Sequence, residues 1–226
     1  MNGHTFSLAG AELCALPSGA IWWAARRLLC VADLHLGKAE RHARRGGAAL
    51  PPYETEETLA RLDADLAATG AETVLCLGDS FDDDDAARAL PAAARTKVAR
   101  LQAGRRWIWV AGNHDPGPTD LGGTHLAEAA IGPLTFRHIA APGATAEISG
   151  HYHPKARLRT AAGRVARKAF LIDGDRAILP AYGTYTGGLS CDDPALTALM
   201  RPDAIAVLTG RRALAVPMRP RRTARA

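Results

Sequence analysis

Three apolar runs, each stopping at a small polar cluster, constrain this chain more than any other feature. Leu28 to Ala32 runs into Asp33, Thr73 to Leu77 into Gly78-Asp79, and Trp107 to Ala111 into Gly112-Asn113. A continuous apolar run of this length suits a strand buried on both faces. Helical patterns lie between the runs. Leu59, Leu62 and Leu66 share one face of a helix predicted over residues 54–69, with Pro51-Pro52 ahead of it and Gly70 placed to end it. Ala94, Val98 and Leu101 form a second stripe, closed by Gly104. From Pro133 onward the pattern changes to short strands: Leu134 to His138, Glu147 to Ser149, Ala169 to Asp173, Ala177 to Leu179, Ala204 to Leu208 and Ala213 to Val216. Strand-helix-strand-helix-strand followed by strands predicts a layered α/β sandwich rather than a pure Rossmann fold. Ligands of open α/β sheets gather at the carboxyl ends of strands, so the three clusters are expected to share a rim.

The 226 residues suffice for one domain with a substantial core. That domain is expected over residues 1–210. Residues 211–226 carry six arginines and no acid, and are expected to be a flexible tail, either a nucleic-acid arm or a solubilising end. No apolar stretch reaches membrane-spanning length, and the first residues lack a basic segment followed by an apolar core. A cytoplasmic protein without a membrane partner is therefore expected. The net charge of +5 weakly favours a polyanionic partner. Cys14, Cys30, Cys76 and Cys191 form no close pair, so neither a zinc knuckle nor a disulfide framework is expected.

The polar clusters, in order, are Asp33-Leu34-His35, Gly78-Asp79, Gly112-Asn113-His114-Asp115, a lone His138, and Gly150-His151-Tyr152-His153. They hold five of the eight histidines, far more than an even spread would place there. Residues two apart on an extended backbone share a side, so Asp33 with His35, and His151 with His153, can each converge on one centre. Carboxylate, imidazole and amide oxygen without thiolate describe a site for Mn²⁺, Fe or Zn²⁺. Each motif alone has an ordinary explanation: Asp caps helices, and Asn, Gly and Asp favour turns. Coincidence explains the ordered set poorly, because three of the motifs end buried runs.

The pattern D-x-H, GD, GNHD, H, G-H-x-H, from Asp33 to His153, resembles the calcineurin-like metallophosphoesterase superfamily. The resemblance implies a two-layer β-sandwich flanked by helices (α/β/β/α) with a dinuclear metal centre at one edge. Carried over by position, Asp33, His35, Asp79 and His153 would hold the first metal. Asp79 would bridge to a second, completed by Asn113, His138 and His151. His114 would be the catalytic histidine and Asp115 would orient it. His125 rivals His138, which is preferred because it ends a strand-like segment. Two divalent ions, Mn²⁺ first, with Fe or Zn²⁺ as alternatives, would share the attacking water and neutralise the phosphate.

Flanking residues narrow the resemblance. Ala32 to Lys38, Gly150 to Lys155 and Leu179 to Gly188 (Leu-Pro-Ala-Tyr-Gly-Thr-Tyr-Thr-Gly-Gly) are similar to the ligase-associated DNA damage response endonucleases. That subgroup implies cleavage of DNA phosphodiesters in repair, in company with a DNA ligase, an exonuclease and a helicase. Two departures stand out. Asp82 occupies a position where relatives often carry histidine, a change that could alter phosphate contacts, and Arg167-Lys168-Ala169-Phe170 replaces a Pro-Cys-Phe-like stretch. Lys38, Arg41, Tyr152 and Lys155 are candidate substrate contacts beside the metal motifs. A small-molecule phosphodiesterase or phosphomonoesterase with the same centre is the alternative. A catalytically silent scaffold would have lost ligands, and this sequence keeps them all.

Overall fold

The protein is described by a computed structural model over residues 2–47, 51, 53–115, 117, 119–160 and 163–219. The three apolar runs form neighbouring parallel strands: β4 (Leu28–Ala32), β5 (Thr73–Leu77) and β6 (Arg106–Val110). Their sheet continues on one side through β3 (Ile21–Trp23), β2 (Ala11–Ala15) and β1 (His4–Leu8), and on the other through β7 (Thr124–Leu126). The second sheet runs in the order β15 (Leu214–Pro217), β14 (Ile205–Leu208), β12 (Gly163–Ile172), β13 (Arg176–Ile178), β10 (Glu147–Ser149), β9 (Leu134–Arg137) and β8 (Ala129–Ile131). A further strand, β11 (Lys155–Thr160), pairs only with β12.

One apolar cluster lies between the sheets, with Ile21, Cys30, Leu75 and Ile108 of the first facing Phe136, Ile148, Phe170 and Val207 of the second. Two more clusters cover the outer faces. On the first sheet, α2 (Glu54–Thr69) buries Leu59, Leu62 and Leu66, and α4 (Ala92–Gln102) buries Val98 and Leu101. Each such leucine contributes about 1.5–3 kcal/mol by leaving water. Helix α2 begins with Glu54, Glu56 and Glu57 near its positive end and stops at Gly70 in the left-handed region. On the second sheet, α5 (Pro194–Leu199) inserts Leu196 beside Met200 and Cys191. The layers are thus α/β/β/α, as expected.

The tail expected from residue 211 begins differently. Leu214–Pro217 is the edge strand β15, paired with β14, and Met218 is buried. Residues 220–226 of that tail lie outside the described residues. Two short helices, α1 (Lys38–Arg44) and α3 (Asp84–Arg88), follow the Asp33-Leu34-His35 and Gly78-Asp79 clusters. Among the described residues no helix is long and apolar enough to cross a membrane.

Candidate metal centre

Strands β4, β5 and β6 end side by side, so Asp33, Asp79 and Asn113 emerge on one rim, and β9 and β10 of the second sheet bring His138 and His151 against it. The backbone here is costly. Asp33, His35, Asp79, His151 and His153 all have positive φ, between 43° and 72°. Such conformations cost about 1–3 kcal/mol each in residues with a Cβ and gather where function demands them. Cross-links hold the turns in place. Asp33 and His35 donate their N–H groups to the carbonyls of Gly78 and Asp79 at 3.2 and 2.9 Å. The His151 N–H donates to the Asp33 carboxylate at 3.0 Å. These turns, not the extended alternation expected, aim the side chains.

Two ligand groups result. Asp33, His35 and His153 form the first. The Nε2 atoms of His35 and His153 lie 3.3 Å apart, and His153 Nε2 is 3.3 Å from Asp33 Oδ1. Asp79, His138 and His151 form the second, with Asn113 joining them. His138 Nε2 stands 3.3 Å from Asp79 Oδ2, 2.9 Å from Asn113 Oδ1 and 3.2 Å from His151 Nδ1. The i, i+2 rule thus holds for Asp33 with His35. It fails for His151 and His153, which fall in different groups. His138 lies in the second group. Its rival His125 stacks on Trp109 at 6.3 Å, within the wall of a cavity of about 450 Å³ beyond Asp115.

The donor chemistry fits a cation. The Asp82 carboxylate lies 2.9 Å from His35 Nδ1 and the Leu77 carbonyl 3.3 Å from His138 Nδ1, so both rings turn their Nε2 edges to the groups. The Nε2 atoms of His138 and His153 stand 2.9–3.3 Å from carboxylate and amide oxygens, a set of donor atoms that suits a divalent ion between them. The residues present respond to the same field. Burial pushes Asp79 up, but the hydrogen bond and charge of His138 outweigh it and hold Asp79 at about 2. His138 is raised, because its contact with Asp79 and the charges of Asp33 and Asp79 overcome the opposing effect of burial. His151 is lowered by burial and then by its neighbour His138.

His114 sits beside these groups, its ring 5.4 Å from that of His35. Its Nδ1 donates to the Asp82 carbonyl at 3.0 Å, which leaves Nε2 as the nitrogen with a lone pair. The expectation that Asp115 orients His114 is corrected. The Asp115 carboxylate turns inward to accept the N–H groups of Ser80 at 2.7 Å and Phe81 at 3.1 Å, so it braces the turn after Asp79. Burial, with added repulsion from Asp79, raises Asp115 to about 7 against those two hydrogen bonds.

Asp82 is the residue whose role the sequence left least visible. Besides His35 it holds Lys38 Nζ at 3.0 Å and Arg41 Nη1 at 2.8 Å. Its carboxyl stays well below the usual range, because hydrogen bonds from His35, Arg41 and Lys38 outweigh burial. Lys38 and Arg41, expected as phosphate contacts, are therefore engaged behind His35. Asp82→Ala is expected to raise the Mn²⁺ concentration for half-maximal binding by about 10–100-fold, the usual cost of losing a partner behind a metal ligand. Unchanged Mn²⁺ affinity in a calorimetric titration would show that His35 needs no such support.

The loop 182–188, within the glycine-rich segment from Leu179 to Gly188, buttresses the first group. A Cβ at Gly183 would collide with the Leu34 carbonyl, and one at Gly188 (φ 144°) with the His153 carbonyl. The loop so touches both stretches that build that group. It is anchored by Arg61 on the Tyr182 carbonyl and by Lys168 on those of Ala181 and Gly183, and Lys155 Nζ donates to the Thr186 carbonyl at 3.0 Å. Burial, then repulsion from Arg61 and Lys155, lowers Lys168 to about 8. Tyr152, half-buried, meets the His151 ring edge-on at 5.0 Å.

The model for the calcineurin-like phosphoesterases matches residues 26–190. The chain belongs to that family. It is a hydrolase of phosphoester bonds, and its two Asp/His groups are the family's candidate metal sites. Among solved structures it is similar to a nuclease, MPE, of Pseudomonas putida. The two are 33% identical with a TM-score of 0.75, over 95% of this chain and 100% of that one. That likeness is consistent with the ligase-associated subgroup. No curated protein sequence matches the chain.

Proposed function

We propose that the chain is a dinuclear phosphodiesterase acting on DNA, an endonuclease with Mn²⁺ as its preferred ion. The observation that carries this reading is the pair of Asp/His clusters on one rim, with His114 alongside. Asp33, His35 and His153 would hold one ion, and Asn113, His138 and His151 the other, with Asp79 reaching both. Bound there, the ions would supply Lewis-acid activation of water and charge neutralisation of the phosphate. The chain's own work is positional. Asp82 and the Leu77 carbonyl stand behind His35 and His138 on the Nδ1 side and would position the two rings. His114, fixed through Nδ1, offers Nε2 to a phosphoryl or leaving-group oxygen, donating a proton there when charged.

The Pseudomonas putida nuclease supports DNA as substrate, and the subgroup resemblance supports a role in repair beside a ligase, an exonuclease and a helicase. The test is Mn²⁺-dependent turnover on linear DNA, covalently closed circular DNA, bis-p-nitrophenyl phosphate and p-nitrophenyl phosphate. Nicking of closed circles and turnover of the diester are expected. Activity confined to the monoester would rule out the nuclease reading.

A further inference from the structure

Basic residues flank the metal groups on two sides, and the two sides differ in what faces them. On α1 the cations are already met by acids. Arg41 pairs with Asp82 and Asp83, Arg44 with Glu40, Asp83 and Asp85, and Arg45 lies 3.8 Å from Asp83. The other side is the antiparallel ribbon of β11 and β12, which starts two residues after His153. Residues 155–168 include six basic residues and no acid. The register pairs Lys155 with Lys168, Arg157 with Ala166 and Arg159 with Arg164. Directly paired residues share a face, so five of the six positions on that face are basic. The opposite face carries Ala156, which is buried, and Leu158, which packs on the core beneath the second sheet.

The ribbon is tied to the site at its base. Lys155 and Lys168 bind carbonyls of the 181–186 stretch, whose Gly183 rests on the Asp33–Leu34 backbone. Arg157 is exposed and has no carboxylate within ion-pair distance among the described residues; Asp192 senses its charge only after its own hydrogen bond with Ser190. Residues two apart on a strand are about 6.6 Å apart, a step that suits successive phosphates of a nucleic-acid strand. We propose that this ribbon, with basic residues at register positions 157, 159 and 164, is the polynucleotide-docking surface, taking a DNA strand that leaves the metal groups. The proposal rests on the DNA reading above and deepens it.

The experiment compares the Mn²⁺-loaded protein with an Arg157→Ala/Arg159→Ala/Arg164→Ala variant and with Arg157→Glu alone. Stopped-flow anisotropy reads binding of a short fluorescent duplex before cleavage, and bis-p-nitrophenyl phosphate reads the site itself. The triple variant should bind DNA about 10–100-fold more weakly at low salt. Its plot of log Kd against log salt should flatten by about 2–3 units of slope, near 0.9 for each phosphate no longer neutralised. Arg157→Glu should weaken binding in the same direction, and both variants should turn over the small diester at the wild-type rate. Wild-type affinity and slope in the variants would overturn the docking surface and leave the nuclease reading intact. A parallel loss of small-diester turnover would also overturn it, by showing that these arginines shape the site. Ribbon-dependent DNA binding by a wild type that cuts no DNA would instead sink the nuclease reading alone.

Discussion

Asp79→Asn is expected to lower phosphodiester turnover on the order of 10³-fold or more and to reduce bound metal, because it removes charge where two ions would meet. The carboxylate is held at about 2 by His138 against its own burial, so it is ionised throughout the working range. Its Oδ1 also accepts the His114 N–H at 2.9 Å, which ties the third motif to the second. An amide keeps the shape but supplies only a neutral oxygen to the ions. Hydrolysis assays paired with metal analysis check this. A metal-replete Asp79→Asn protein with full activity would remove Asp79 from the centre.

The second large effect separates chemistry from metal binding. His114→Ala should cost about 10²–10⁴-fold in turnover, the range for losing a positioned acid–base or charge-stabilising group. Metal content should stay at the wild-type level, because no ligand atom is removed. His114 Nδ1 is fixed by the Asp82 carbonyl, outside both ligand groups. Loss of metal together with turnover would make His114 a ligand or a prop for one.

Much of this was legible in the sequence, for physical reasons that can be named. Buried parallel strands need unbroken apolar runs, so β4 and β5 appear at their full lengths and β6 within one residue at each end. Helix α2 matches its predicted bounds because a periodic leucine stripe, a proline pair ahead of it and a glycine stop agree. Helices α1 and α5 went unread, being too short or too charged to show a stripe. The ribbon went unread too, because Lys155 to Arg159 reads as a run of charge until pairing with β12 reveals its two faces.

The clustered Asp, Asn and His side chains were legible as a set and their geometry was not. Alternation along an extended strand could not foresee positive φ at five of them, since those turns depend on contacts with the neighbouring strand ends and with loop 182–188. The same limit hid Asp82. Its position five residues after β5 says nothing of His35, which arrives from another strand end.

If the two groups each hold an ion and act as one centre, both must be filled for turnover. Native mass spectrometry of the Mn²⁺-loaded chain, with diester turnover on the same samples, tests this most directly. Two ions per chain are expected in the wild type, one in His151→Ala and one in His35→Ala, with turnover lost in both variants. Full turnover by a protein that carries a single ion, or a wild type that never takes up a second, would contradict the dinuclear centre.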